Sequence, residues 1–289
     1  MSEYFLRADL QGGALSAEGD AETLLQWALR AAGQAPPEAV YRDREGRKTL
    51  RLELDGRGFF LKLHRGVGWA EIFKNLLQGR LPIVGAGSEF RALCALEAIG
   101  VESLAPAAFA SFGLNPARLQ SMILTDELTG TVSLEDYCAD WSLHPPPSAL
   151  RLQLVVLLAD IARRMHGAGI NHRDFYLCHF HLVRDSLAGG PLRCHLIDLH
   201  RAQLRRQIPR RWRVKDLAGL YFSAMDCGLS QRDLQRFARH YCPGGLRQAM
   251  TEQAGLWRSV SSAAERLYLK AHGTPPPPLT PAGARHRGR

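Results

Sequence analysis

The sequence predicts an α+β fold in which antiparallel strands come first and helices follow. From Lys48 to Leu54 polar and apolar residues alternate, and Asp55-Gly56-Arg57-Gly58 is a hairpin signal before a second strand at Phe59–His64. Apolar residues from Leu150 to Met165 recur at helical spacing, which predicts a long helix with one buried face. At 289 residues the chain can bury a large core.

The composition restricts the partners and the compartment. The formal net charge of +9 favours anionic partners. The six cysteines form no Cys-x-x-Cys pair and lie mostly in apolar runs, which predicts reduced thiols in a cytosolic protein. The first residues lack the basic and apolar regions of a signal peptide, and no run reaches ~18 apolar residues. We therefore expect neither secretion nor a membrane span.

Two segments place a carboxylate where a strand is expected to give way to a loop. The first, Asn171–His179, contains His172-Arg173-Asp174, and the second, Leu196–His200, contains Asp198 about twenty residues later. Two acids in one cleft suit phosphoryl transfer, because one can accept the proton of the substrate hydroxyl while the other holds Mg²⁺. This pattern predicts a kinase with Asp174 as catalytic base and Asp198 as metal ligand.

Several further motifs, in matching order, resemble the lipopolysaccharide core heptose kinases of Gram-negative bacteria. They are Gly66–Trp69 with Glu71–Leu77, Leu134–Trp141, Ile197–Leu204 and Arg210–Arg213, and the resemblance covers about residues 40 to 250. It implies a bilobal protein-kinase-like fold with a small antiparallel-sheet N-lobe and a mostly helical C-lobe. The expected boundaries are an N-terminal extension at 1–38, an N-lobe at 39–128, a C-lobe at 129–271 and a Pro-rich basic tail, expected to be disordered, at 272–289.

The same resemblance implies an activity and its partners. It implies ATP- and Mg²⁺-dependent phosphorylation of a heptose hydroxyl, expected on heptose I, of the lipopolysaccharide inner core, at the cytoplasmic face of the inner membrane. Expected partners are the lipid-linked core and the anionic membrane surface, with an acidic carrier protein as a further candidate and no nucleic acid. Two alternatives stay open: another small-molecule or protein phosphotransferase, and a pseudokinase or lipid-binding scaffold. The absence of a Gly-x-Gly-x-x-Gly phosphate loop favours the second alternative.

The nucleotide-binding residues follow from the resemblance. Lys62 takes the position of the lysine that neutralises the α and β phosphates, and Glu89, in a helix starting near Ser88, is its ion-pair partner. Taken alone, Lys62 would be an ordinary strand lysine and Glu89 an acid that complements a helix dipole. The backbone of Glu127 and Leu128, after a buried strand, is expected to bind the adenine edge.

His179 departs from the protein-kinase pattern, which has an asparagine metal ligand five residues after the aspartate. Imidazole is a poorer ligand for Mg²⁺ than oxygen. Three roles therefore stay open for His179: a metal ligand, a hydrogen-bond partner of a phosphate, or a hydrogen-bond partner of Asp174. A zinc site is less favoured, because no recognised zinc spacing occurs. Its candidate ligands would be Cys178, His181, Cys194, His195 and His200.

A basic stretch follows the second acidic segment. Its seven Lys or Arg residues are 201, 205, 206, 210, 211, 213 and 215. Such a run is usually a solvated face, but guanidinium groups also match the phosphates and carboxylates of the inner core. Arg201, Arg210 and Arg211 are therefore candidate substrate ligands. Asp216 is expected to start the next helix, where it either anchors the catalytic-loop backbone or caps the helix.

An apolar stripe lies before the helix that carries Glu89, in the segment Gly66–Leu77 that resembles the heptose kinases. Trp69, Ile72, Phe73, Leu76 and Leu77 fall on one helical face. We expect that face to join the core, and a surface lying on a membrane is the less favoured alternative.

Overall fold

A computed structural model of the chain describes residues 2–11, 15, 20–44, 46–77 and 82–280. Its strands are β1 (Glu3–Leu6), β2 (Val40–Arg44), β3 (Arg47–Leu54), β4 (Arg57–Arg65), β5 (Pro106–Phe112), β6 (Gln120–Asp126), β7 (Thr131–Ser133), β8 (Ile170–Asn171), β9 (Phe180–Val183), β10 (Cys194–Leu196) and β11 (Gln203–Leu204). Its α-helices are α1 (Ala21–Gln34), α2 (Gly68–Leu77), α3 (Gly87–Ala98), α4 (Leu134–Tyr137), α5 (Ser148–Gly167), α6 (Arg210–Ala224), α7 (Gln231–Tyr241), α8 (Gly245–Met250) and α9 (Ala254–His272). The predicted α+β class is confirmed.

The chain divides into two compact units. The first contains residues 1–95, 104–129 and 199–201, and the second contains residues 96–103, 130–198 and 202–289. The longest continuous part of the first unit after α3 ends at residue 129. The lobe boundary that we expected lies one residue earlier, after residue 128.

An antiparallel sheet is the centre of the first unit. Within the described residues its strand order is β1-β5-β6-β4-β3-β2. The predicted hairpin joins β3 to β4, with Leu54 paired to Arg57. Asp55 and Gly56 both have positive φ, of 50° and 74°, as a two-residue type I′ turn requires.

The N-terminal residues belong to this sheet and its core. β1 pairs with β5, and Leu24, Leu25 and Ala28 of α1 are buried among the sheet residues. Asp20 caps α1 by accepting a hydrogen bond from the Thr23 amide. The boundary that we expected at residue 38 is therefore absent from the fold, because the preceding segment supplies both an edge strand and part of the core.

The α2 stripe is mostly solvent-exposed. Ile72 is buried, whereas Trp69, Phe73, Leu76 and Leu77 are exposed. The prediction that this face joins the core is wrong for those four residues.

The second unit is mostly helical. The predicted long helix is α5, and it packs against α7, while α6 packs against α9. Ser230 and Asp233 form a capping box at the start of α7. Short strands in the orders β10-β9-β7 and β11-β8 complete this unit as far as the structure describes it.

Part of the C-terminal tail is fixed rather than disordered. Beyond α9, the Thr280 amide donates a hydrogen bond to the Leu229 carbonyl, at 2.8 Å, and its hydroxyl donates to the Gly228 carbonyl, at 3.1 Å. The prediction of disorder from residue 272 is therefore wrong up to Thr280. The basic end at 285–289 lies outside the described residues.

All six cysteines are described and none forms a disulfide, as the sequence predicts. In the part of the chain that the structure describes, no helix is long and apolar enough to cross a bilayer.

Candidate active site

Lys62 and Glu89 form an ion pair in the first unit. Lys62 lies in β4 and Glu89 in the first turn of α3, and Lys62 Nζ is 2.5 Å from Glu89 Oε1. Glu89 is only 2% exposed, while the Lys62 side chain is 23% exposed. A buried carboxylate needs a charged partner, so the glutamate fixes the direction of the ammonium group.

The side chain and the backbone amide of Glu127 both form hydrogen bonds that the sequence did not reveal. Its carboxylate accepts two hydrogen bonds of 2.8 Å from Arg51, which lower the pKa of Glu127. Its amide donates to the Gly58 carbonyl at 2.9 Å. The amide is therefore already used within the first unit, and the predicted adenine contact through Glu127 and Leu128 stays a prediction.

The two acidic segments meet in the second unit through His179. The Nδ1–H of His179 donates to the backbone carbonyl of Asp174 at 2.6 Å, because a carbonyl can only accept. Its Nε2 is 3.4 Å from Asp198 Oδ2. Of the roles left open for His179, a hydrogen bond to Asp174 is present, and it is made to the backbone. The histidine thus links the segment of the expected base to the expected metal ligand.

His172 provides a second link between these segments. Its Nε2–H donates to the Ile197 carbonyl at 2.9 Å, and the Ile197 amide donates to the His179 carbonyl at 2.9 Å. Burial lowers the pKa of His172, so the ring is neutral and serves as a packed connector. The residue before Asp198 is therefore held by the loop that carries Asp174.

Backbone strain marks the same two segments. Arg173 and Asp198 have φ values of 78° and 64°, in the left-handed region that non-glycine residues rarely adopt. Such conformations cost about 1–3 kcal/mol each and persist only where surrounding contacts determine them. Here the contacts of His172 and His179 hold the segments that carry Asp174 and Asp198 in place.

Asp216 anchors the catalytic-loop backbone from inside α6. Its Oδ2 accepts the His172 amide and its Oδ1 accepts the Arg173 amide, both at 2.8 Å, and the residue is fully buried. The prediction that Asp216 starts a helix is wrong, because α6 begins six residues earlier, at Arg210. The alternative role as a helix cap is excluded for the same reason, and the anchoring role is observed.

Gly219 and Ser223 complete this support, and sequence reasoning missed both. A Cβ at Gly219 would lie 3.0 Å from the Phe175 carbonyl oxygen, so a glycine lets α6 approach the loop closely. The Ser223 hydroxyl accepts the Leu177 amide at 2.9 Å. The available signal was a glycine inside a helical pattern, which costs about 1 kcal/mol relative to alanine and so suggests a packing role.

We expect Asp216→Ala to lower the free energy of unfolding by about 2–4 kcal/mol, because two buried amides lose their acceptor. Asp216→Asn keeps one acceptor oxygen and should recover part of both stability and kcat. Denaturant unfolding and steady-state kinetics measure these effects, with Asp185→Asn as the exposed control. An Asp216→Ala protein as stable as the control would contradict the anchoring role.

The zinc alternative gains no support from the structure. Among the residues that the structure describes, no three His, Cys, Asp or Glu side chains gather at a site that could hold a metal ion. Cys194 and His195 are neighbours in β10 and so point to opposite faces of their sheet. His195 Nε2 instead lies 3.6 Å from a Glu102 oxygen.

The basic stretch is not a uniform solvated face. Three cations surround the Trp212 ring: the guanidinium carbons of Arg173 and Arg211 lie 5.3 Å from its centroid, and Lys215 Nζ lies at 5.8 Å. Arg210 is exposed and donates to the Ser259 hydroxyl at 3.0 Å. Arg201 is half-buried. Of the three candidate substrate ligands, Arg211 is the one that joins this cluster, which we call the Trp212 cluster.

A family model described as the lipopolysaccharide kinase (Kdo/WaaP) family matches residues 32–241. The chain belongs to this family. The matched range contains Lys62, Glu89, Asp174, Asp198 and Asp216. The prediction of a kinase, a phosphotransferase with a hydroxyl acceptor, is thereby confirmed.

Individual members of the Kdo/WaaP family give the same result. The lipopolysaccharide core heptose(I) kinase WaaP of Pseudomonas aeruginosa strain PAO1 is 49% identical over 230 residues, which cover 79% of this chain and 86% of that protein. The protein of the same name from Escherichia coli K12 is 47% identical over the same length and coverage. A solved structure titled WaaP in complex with acyl carrier protein is 40% identical, with a TM-score of 0.76, and covers 92% of this chain and 99% of that chain.

Proposed function

We propose that this chain transfers the γ-phosphoryl group of ATP to a heptose hydroxyl, expected on heptose I, of the lipopolysaccharide inner core. The observation that carries the proposal is the pair of contacts from His179, which join the segments of Asp174 and Asp198. Membership of the Kdo/WaaP family supports the reaction class, and the names of the relatives support the acceptor.

Asp174 is assigned to the acceptor hydroxyl. Its carbonyl is held by His179, and the preceding amides are held by Asp216, so the loop position is fixed before substrate arrives. A carboxylate within hydrogen-bond reach accepts the hydroxyl proton as the oxygen attacks phosphorus. Fixing the loop in advance lowers the reorganisation that the reaction requires.

Lys62 is assigned to the nucleotide phosphates. Its contact with the buried Glu89 keeps the ammonium in one orientation, and a positive charge beside the phosphates stabilises the charge that develops in transfer. In the first unit this pair carries the binding of the triphosphate.

The donor chemistry at Asp198 fits Mg²⁺. A carboxylate oxygen is a hard ligand, and Mg²⁺ usually takes one or two carboxylates, with phosphates and water as the other ligands. When bound, the ion would neutralise charge on the β and γ phosphates. Asp198 is partly exposed, with 34% of its side chain accessible, and His179 orients it from the protein side.

The Trp212 cluster is assigned to an anionic group of the acceptor. Three cations lie around one indole ring and concentrate positive charge at this position. Guanidinium groups match both phosphates and carboxylates, the anionic groups expected on the acceptor. Arg173 ties the cluster to the loop of Asp174.

We also propose that the enzyme works at the cytoplasmic face of the inner membrane of a Gram-negative bacterium and can bind an acidic carrier protein. A net charge of +9 complements both surfaces. The solved relative with an acyl carrier protein supports the second partner.

The acceptor is tested by phosphate incorporation from γ-labelled ATP. The expected result is transfer to lipopolysaccharide from a strain that lacks this enzyme, with no transfer to aminoglycosides or generic protein substrates. Equal labelling of an aminoglycoside would overturn the assignment of the acceptor while leaving the kinase class intact.

Arg210 and Arg211 form a matched pair for the acceptor site. Arg211→Gln should raise the KM for phosphorylated core acceptor by roughly tenfold, since it removes one charge-assisted contact, and should leave the KM for ATP unchanged. Arg210→Gln changes the same charge beside it without disturbing the Trp212 cluster. Equal effects of the two substitutions would count against the cluster as the acceptor site.

A further inference from the structure

The exposed side of α2 is an apolar surface that the residues described in the structure leave largely uncovered. Trp69, Phe73, Leu76 and Leu77, which we call the α2 face, are 50%, 57%, 50% and 89% exposed. Trp69 and Phe73 stack on each other, with ring centroids 5.8 Å apart. Single exposed apolar residues are ordinary, but four on one short helix form a patch of the kind that marks an interaction site.

The neighbouring loop is held against the start of α2 and carries a further exposed apolar residue. Between β5 and β6 the chain passes the start of α2, where the Gly68 amide donates to the Ala117 carbonyl at 3.0 Å. Gly66 has a φ of 86°, and a Cβ there would lie 2.7 Å from the same carbonyl oxygen, so the loop is held close. On that loop Leu114 is 85% exposed.

Basic residues border the apolar side chains. Arg65 ends β4 opposite Gln120, Arg118 lies in the adjoining loop, and both are exposed or partly exposed. Lys74 lies on α2 itself. Its acidic neighbour Glu71 is 3.3 Å from Lys74 Nζ, so the charge of that carboxylate is offset within the helix.

We propose that the α2 face docks this protein on an anionic lipid bilayer. Trp69, Phe73, Leu76 and Leu77 enter the boundary between headgroups and acyl chains, and Arg65 and Arg118 contact lipid phosphates. The inference rests on the proposed function in one respect, since a lipid-linked acceptor is met at such a surface.

The chemistry of the patch favours lipid over a protein groove. Stacked aromatic rings beside aliphatic side chains, with cations at the border, are the composition of helices that lie in a membrane interface. Juxtamembrane Lys and Arg gain energy from the negative potential of anionic lipids. Ile72 is buried, so α2 remains attached to its unit while its neighbours face outward.

The test is flotation of the purified full chain with vesicles of phosphatidylcholine, with and without phosphatidylglycerol. Trp69→Gln/Phe73→Gln should lower the partition coefficient at least roughly tenfold on the anionic vesicles. Arg65→Gln/Arg118→Gln should lower it by about fivefold per charge, and only where phosphatidylglycerol is present. The matched control is Leu143→Gln/Met250→Gln, which replaces exposed apolar residues of the second unit and should bind as the parent does.

Three results would overturn the proposal. They are unchanged flotation of the Trp69/Phe73 variant, a change from dimer to monomer in that variant by sedimentation, and loss of carrier-protein binding with vesicle binding intact. Flotation contains neither ATP nor acceptor, so it is independent of turnover. On a deacylated core oligosaccharide the same variant should keep the parent's kcat. Absence of heptose phosphorylation by the parent would instead refute the proposed function and leave the docking result standing.

Discussion

Asp174→Asn is expected to lower kcat by about 10²–10⁴-fold while nucleotide affinity stays close to that of the parent. Asparagine has nearly the same shape, and the loop contacts from His179 and Asp216 go to backbone groups, so the fold of the loop is retained. The lost group is the carboxylate oxygen that we propose as acceptor of the hydroxyl proton. Single-turnover kinetics with a heptose acceptor measure the chemical step, and nucleotide titration measures binding.

Two further variants are compared with Asp174→Asn to separate loss of chemistry from loss of nucleotide binding. Lys62→Met should show the opposite pattern, with weaker ATP binding, because it removes the ammonium that Glu89 orients and that we assign to the phosphates. Asp185→Asn, at an exposed position of the same unit, should change neither quantity. A turnover of Asp174→Asn equal to that of Asp185→Asn would remove Asp174 from the reaction.

The local motifs were predictable because each depends on nearby residues. Positive φ at Asp55 and Gly56 follows from the turn that their types favour. The Ser230 capping box is likewise a contact within one helical turn. These interactions need no knowledge of the rest of the chain.

Most of the wrong predictions concern packing between segments that are distant in sequence. The periodicity of α1 predicts a buried face but not the sheet that covers it, and β1 pairs with residues about a hundred positions away. The stripe of α2 has the same periodicity, yet nothing in the described structure covers most of it. Helical spacing of apolar residues shows only that one face is apolar, and packing decides whether that face is buried.

For Asp216 the anchoring role is observed, but its predicted position at the start of a helix is wrong. The anchor, one of the two roles expected for Asp216, came from the resemblance to kinase-like folds, whereas the helix start depends on Pro209, which precedes Arg210. Proline at the beginning of a helix is a recognised signal, and it outweighs an acid seven residues later. In the interior of α6 the carboxylate reaches two amides that an N-cap would leave unsatisfied.

Asp198→Ala is expected to lower kcat on the order of 10³-fold, comparable with the loss at Asp174. The carboxylate is the one hard oxygen ligand that we assign to Mg²⁺, and removing it leaves the charge on the β and γ phosphates uncompensated. Asp198→Asn keeps an oxygen but loses the negative charge, so it should require more Mg²⁺ for half-maximal activity. Activity measured across a Mg²⁺ titration at saturating ATP checks both variants.

His179 decides how the metal site differs from that of protein kinases. If its Nε2, 3.4 Å from Asp198, only orients the carboxylate, His179→Ala lowers kcat while the Mg²⁺ concentration at half-activity stays constant. We expect this outcome, because the Nδ1–H is already used on the Asp174 carbonyl and nitrogen is a weak ligand for Mg²⁺. His179→Asn restores an oxygen at this position and serves as the comparison. A large rise in the Mg²⁺ requirement of His179→Ala, reversed in His179→Asn, would make the histidine a metal ligand instead.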